Sequence, residues 1–192
     1  MTRGVSHSET ASAPAPTPLW EALMAMVGLF WITEDAVYVG AEPIGTASGV
    51  RLTKDGVEIL GLGQGRFWAW DDVRGLDVQD VAVRSTARRL ASMAFDSVYA
   101  MLTGDGELPP AFTVRVETEG DGTVEATALA AVPSGIHTPD EYGLSRTLLT
   151  RLATGATPVD DLLTWRRDEP EDVAPTRDQQ LALLRQWTTA SA

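Results

Sequence analysis

Between Ala36 and Val81 the chain carries a reversal signal every few residues, and that spacing points to an antiparallel meander. Val37 and Val39 alternate within residues 36–41. Gly49–Thr53 leads through Lys54-Asp55-Gly56 into Val57–Leu60. Asp-Gly between alternating runs is a hairpin signal, because glycine takes the positive φ of a tight turn at no steric cost. Gly61-Leu62-Gly63-Gln64-Gly65 marks the next reversal, and Arg66–Trp70 the next strand. Asp71-Asp72 interrupts it, since short acids favour turns by accepting local backbone N–H bonds. Val73–Val81 then resumes, with Leu76 and Val78 alternating against Asp77. Phe112–Thr118 and Thr123–Val132 form a further hairpin across Glu119-Gly120-Asp121-Gly122.

Helical periodicity flanks this block. The run Leu19–Ile32, opened by Thr17-Pro18, sets Trp20, Leu23, Met24, Val27, Phe30 and Trp31 at helical spacing, which predicts an amphipathic helix packed on the domain. It is too short to span a bilayer of about 30 Å and carries Glu21. Ser85–Leu102 reads as an inserted helix ended by Gly104, with Leu90, Ala94, Val98 and Met101 on one face. Thr138-Pro139-Asp140-Glu141 is a capping box with proline at the first helical position, so a helix runs from there towards Gly155. Asp160–Trp165 predicts a short helix. Thr176–Trp187 predicts a last amphipathic one, with Leu181, Leu184 and Trp187 in line.

These elements give an α+β fold: an antiparallel meander or partly open barrel, with an inserted helix, a C-terminal packing helix and terminal amphipathic helices. The organisation expected is a disordered tail over 1–17, one domain over 18–167, an acidic proline-flanked linker over 168–175 and a C-terminal helix over 176–192.

The block Gly49–Val81, with Phe67-x-Trp68-x-Trp70-Asp71-Asp72-Val73-Arg74-Gly75-Leu76, resembles the middle of a bacterial pleckstrin-homology-like domain over residues 36–155 at most. In such domains an apolar Trp-Asp step links two consecutive strands, and a long helix closes a bent barrel, a part that 138–155 suits. The inserted segment 85–102 departs from that pattern. The resemblance implies a binding or scaffolding module and carries over no site residues.

Composition narrows the chemistry. The net charge is −12, which weighs against general nucleic-acid binding because that affinity comes from cations neutralising phosphates. The absence of cysteine removes disulfides, thiolate nucleophiles and cysteine-ligated metals. Of the two histidines, His7 lies in the tail and His137 directly precedes the Thr138 cap, so a zinc site or a serine triad has too few members. No Gly-x-Ser-x-Gly elbow is present. Asp71, Asp72, Asp77 and Asp80 lack the alternate spacing and late glutamate of a calcium loop. Gly61-x-Gly63-x-Gly65 leads into a strand rather than a helix N-terminus, so it reads as a turn and not a phosphate loop.

The function expected is therefore a non-enzymatic, cytoplasmic interaction or scaffold module of a bacterial cell, with no cofactor and no bound metal. The last helix would be either weakly docked on the domain or a recognition helix, catching a protein partner by Leu181, Leu184 and Trp187 in the helix-in-groove manner. A second reading is a small ligand-binding protein or enzyme with a site lined by Trp68, Trp70, Arg74, Asp71 and Asp72. A third is peripheral membrane contact, since Arg74, Arg84, Arg88 and Arg89 could form a patch for an anionic headgroup.

Overall fold

The computed structural model describes residues 26–63, 65–84, 110–131, 136–169 and 175–189. Among these, six strands form one antiparallel sheet in chain order: β1 Met26–Val27, β2 Phe30–Ile32, β3 Val37–Val39, β4 Gly49–Leu52, β5 Gly56–Leu60 and β6 Arg66–Ala69. A 3-10 turn, Trp70–Asp72, then carries the chain into a second antiparallel sheet of β7 Val73–Gln79, β8 Ala111–Thr118 and β9 Gly122–Leu129. Three helices follow: α1 Pro139–Ala153, α2 Val159–Asp168 and α3 Arg177–Thr189.

The architecture is α+β with antiparallel sheets, and the two sheets do not close into a barrel. They touch where Ala41 N–H donates to the Leu129 carbonyl at 2.7 Å. The chain reverses at Lys54-Asp55-Gly56, but not through a positive φ at Gly56, which opens β5. Thr53 Oγ1 accepts from Asp55 N–H at 3.3 Å and Gly56 N–H at 3.2 Å, and Gly56 is needed because a Cβ would strike the Trp68 carbonyl. After β5, Gly61 at φ 137° and Gly63 at φ 71° supply the expected turn conformations. Asp71 and Asp72 do interrupt the strand.

Register explains which side chains are core. The row Ile32–Val37–Leu52–Val57–Trp68 crosses five strands and is buried throughout. The alternate row Trp31–Tyr38–Arg51–Glu58–Phe67 lies on the other face, as a strand's two-residue period requires. Burial in this row falls off towards β6: Tyr38 is covered, Arg51 and Glu58 pair with each other half-buried, and Phe67 is open.

The helix expected over 19–32 is, in its described part, the β1–β2 hairpin instead. Met26–Phe30 is buried at every position, and a run that is apolar all round has no period to separate a helix from a buried strand. Gly28 turns the chain at φ 61°, a conformation that costs a side chain roughly 1–2 kcal/mol. A Cβ there would also come within 2.5 Å of the Ser145 hydroxyl and 2.9 Å of a Leu184 methyl. Leu29 N–H donates to that same hydroxyl at 3.2 Å, pinning the hairpin to α1. The inserted helix 85–102 and the tail 1–17 lie outside the described residues.

The capping box forms in both directions. Glu141 N–H donates to Thr138 Oγ1 at 3.3 Å, and Thr138 N–H donates to Glu141 Oε2 at 2.7 Å. Leu148, Leu149 and Leu152 bury one face of α1. Its outer residues meet β7: Arg146 pairs with Asp77 at 2.8 Å, and Tyr142 reaches the Val78 carbonyl at 3.5 Å.

Candidate functional site

The C-terminal helix forms where its periodicity places it, but its anchor residues face inward. Leu184 is 0% exposed, Trp187 is 3% exposed and Leu181 is half-buried. The Trp187 ring meets Trp165 of α2 edge-on at 5.6 Å, and its carbonyl accepts from Thr157 Oγ1 at 2.8 Å. Arg177, at the first residue of α3, donates to both oxygens of Glu141 at 2.7 and 3.0 Å. Of the two expectations for this helix, docked or offered to a partner, the docked arrangement is the one the structure contains. The stripe is core because α1 and β1 already present the groove it fills.

Glu141 and His137 sit together at this junction. Burial opposes the charge on Glu141, but the Arg177 fork and the two Thr138 hydrogen bonds outweigh it and hold the carboxyl at about 2. His137 is 3% exposed, and its Nε2 has no hydrogen-bond partner among the described residues. Burial pushes its pKa below the ordinary value; the Glu141 charge works against that shift, and Arg177 adds to it. Its backbone is locked, with N–H donating to the Ala82 carbonyl and C=O accepting from Arg84 N–H, both at 2.9 Å. This is a structural junction.

The arginine patch does not assemble as one site in the described residues. Arg74 is paired with Glu119 near the C-terminal end of α1, whereas Arg84 follows the Val83–His137 bridge at the N-terminal end. A fifteen-residue helix spans about 22 Å, so the two lie at opposite ends of it. Arg88 and Arg89 lie outside the described residues.

The residues of the second reading are partly brought together. Trp70, Asp71 and Arg74 line a groove of about 630 Å³, facing Lys54 and the turn between α1 and α2 at Thr154, Thr157 and Asp160. Trp70 is fixed by donating its indole N–H to the Thr53 carbonyl at 2.9 Å. Trp68 points elsewhere: it is buried, and its N–H donates to Asp121 at 2.9 Å. The 3-10 turn at Trp70 breaks the alternation that would have put both rings on one face. Asp72 is not among the groove's lining residues.

A fourth surface was not singled out from the sequence. Ile44 is 88% exposed, Leu62 77% and Phe67 55%. Ile44 lies in the β3–β4 loop and Leu62 in the β5–β6 loop, and these loops touch where Gly61 meets Ser48. Phe67 stands on β6, the last strand of its sheet, which pairs with β5 on one side and with no described strand on the other. Ile44 and Leu62 therefore stand on loops at one end of the sheet, while the Phe67 ring leans along the β6 edge towards Gly56 at the other end. The signal was present in Arg66-Phe67-Trp68-Ala69: with an aromatic on each alternate face, only one can enter the core.

Among the described residues no three His, Asp or Glu side chains gather to hold a metal, and no helix is long and apolar enough to cross a membrane. Comparisons with protein-family models, curated proteins and solved structures find no match to this chain.

Proposed function

We propose that this chain is a non-enzymatic interaction module that docks a protein partner on the β6 edge and the two loop tips beside it. The observation that carries this reading is the exposure of Phe67 on β6, whose outer edge pairs with no described strand, with Ile44 and Leu62 exposed on two loops at one end of the same sheet. Single exposed apolar side chains are ordinary, but an outward aromatic on an open strand edge offers both backbone groups and apolar surface to a partner. Fully burying each of the three side chains would contribute about 1.5–3 kcal/mol. Natural sheets shorten or charge such edges to prevent association; β6 is short, with four residues, yet keeps an outward phenylalanine. A pleckstrin-homology-like ancestry is in keeping with this role. Its support is the meander, the corner at Trp70–Asp72 and the helix after the last strand. The test is a Phe67→Asp, Leu62→Ser variant with native melting: partner binding should be lost.

A second reading rests on the groove. A site walled by Trp70, with Lys54 and the Asp71 and Asp160 carboxylates at its rim, suits a small polar ligand carrying both charges. Tryptophan fluorescence against a metabolite and nucleotide panel tests it, with a saturable change that disappears in Trp70→Phe.

A further inference from the structure

We propose that the β6 edge takes an extended segment of another protein, laid as an added strand, with an apolar residue beside Phe67 and an acidic residue beside Arg66. This rests on the docking reading above and names the partner's chemistry. A strand edge offers a row of backbone donors and acceptors, which only an extended chain satisfies in full. No described backbone group outside β5 bonds the backbone of β6. An added strand places its side chains alternately on the two faces, next to those of β6.

The two faces of β6 ask for different chemistry. On the outer face the Phe67 ring lies over Gly56 and beside Glu58, whose charge is already matched by Arg51; the ring is 55% exposed, so its open side suits an apolar side chain. On the other face Arg66 stands exposed beside Ile59 and forms no ion pair with a described residue. Arg66 is the one cation on β6 itself, and an incoming carboxylate is its complement. Asp71 and Asp72 lie past the other end of the strand, so a second acid there would be repelled. The acidic residue therefore belongs at the Arg66 end alone.

The same charges argue against a second copy of this chain as occupant. A twofold antiparallel pairing must set residues of one face opposite each other. With Phe67 opposite Phe67, Arg66 faces Trp68, and the strand contains no acid to offer it. Each copy would also bring a net charge of −12.

The experiment titrates the full-length, isotope-labelled protein with acetyl-Ser-Thr-Val-Glu-Val-Ser-amide, and with the same peptide carrying glutamine or lysine in place of glutamate. Amide shifts are followed by NMR. The expected result is saturable movement of Arg66–Ala69 and the facing β5 amides, weakening about two- to fivefold with glutamine and further with lysine. Arg66→Glu should reverse that order, and Phe67→Asp should abolish the response while leaving the rest of the spectrum unchanged. Equal affinity for all three peptides at β6 would overturn the acidic class while sparing the docking edge. Silence at β6 with every peptide would overturn the added strand. Concentration-dependent dimers lost in Phe67→Asp would give the edge to a second copy, and sedimentation with vesicles lost in Ile44→Asp would give it to a lipid surface; either contradicts the proposal.

Discussion

Arg177 opens the last helix and holds both oxygens of Glu141, the acid that closes the capping box of α1, so one carboxylate fixes a helix start and the docking of another helix. With Leu184 and Trp187 buried beneath it, α3 belongs to the fold. Leu184→Ala is expected to cost about 2–5 kcal/mol in urea unfolding, and removal of 176–192 should lower the melting temperature sharply. Unchanged melting after the truncation would return α3 to the role of a detachable helix.

Glu141 makes stability depend on acid. Its carboxyl is held at about 2 against an ordinary 4.5, so the folded state binds its proton less readily than the unfolded one. The stabilisation is present above 4.5 and is lost as pH falls from there towards 2. Because Arg177 is half exposed, its size is on the order of 1–2 kcal/mol. Glu141→Gln should flatten the unfolding free energy across that window, and an unaltered slope would contradict the assignment.

His137 acts in a separate window. Burial lowers its pKa, so protonation favours the unfolded chain, and stability falls as pH drops below the ordinary 6.5. His137→Gln should remove the part of the melting-temperature decline between pH 7 and 5 that wild type shows. A decline identical in both proteins would mean that another group carries it.

Gly28 has no tolerated substitute at its φ of 61°. Gly28→Ala is expected to destabilise by at least about 1–2 kcal/mol, through the backbone and through contact with Ser145 and Leu184. Calorimetry that finds wild-type stability would show that the β1–β2 turn is not seated on α1 and α3.

Phe67→Asp and Leu62→Ser should each change unfolding free energy by less than about 0.5 kcal/mol, as both side chains are open to solvent. A larger loss in chemical denaturation would mean that these residues are covered by the fold.

The meander was legible because its reversals are marked by local chemistry: the glycines at 61 and 63 take the positive φ expected of them, whereas at Asp55-Gly56 the reversal was placed correctly but is held by the Thr53 hydroxyl rather than by a positive φ at Gly56. The α1 capping box was legible for the same reason. Met26–Ile32 was not, since a run that is apolar on every side is consistent with either period and only the fit of Gly28 against Ser145 decides it. The inward face of α3 was read correctly as a stripe, but whether a stripe meets the chain's own core or a partner depends on α1 and β1 being beneath it, which is a tertiary fact. The Trp70–Asp71–Arg74 groove was partly visible, through residues adjacent in sequence; its opposite wall comes from the α1–α2 turn some eighty residues away. The β6 edge was visible only as the Phe67–Trp68 alternation, because strand order, not sequence, decides which strand has a neighbour on one side alone.

Hydrogen–deuterium exchange of the full chain, free and saturated with its captured partner, tests the docking surface most directly. The account predicts new protection over Arg66–Ala69 and the loops bearing Ile44 and Leu62, with α3 equally protected in both states. Protection confined to α3 or to the Trp70 groove, with β6 exchanging freely in the complex, would contradict it.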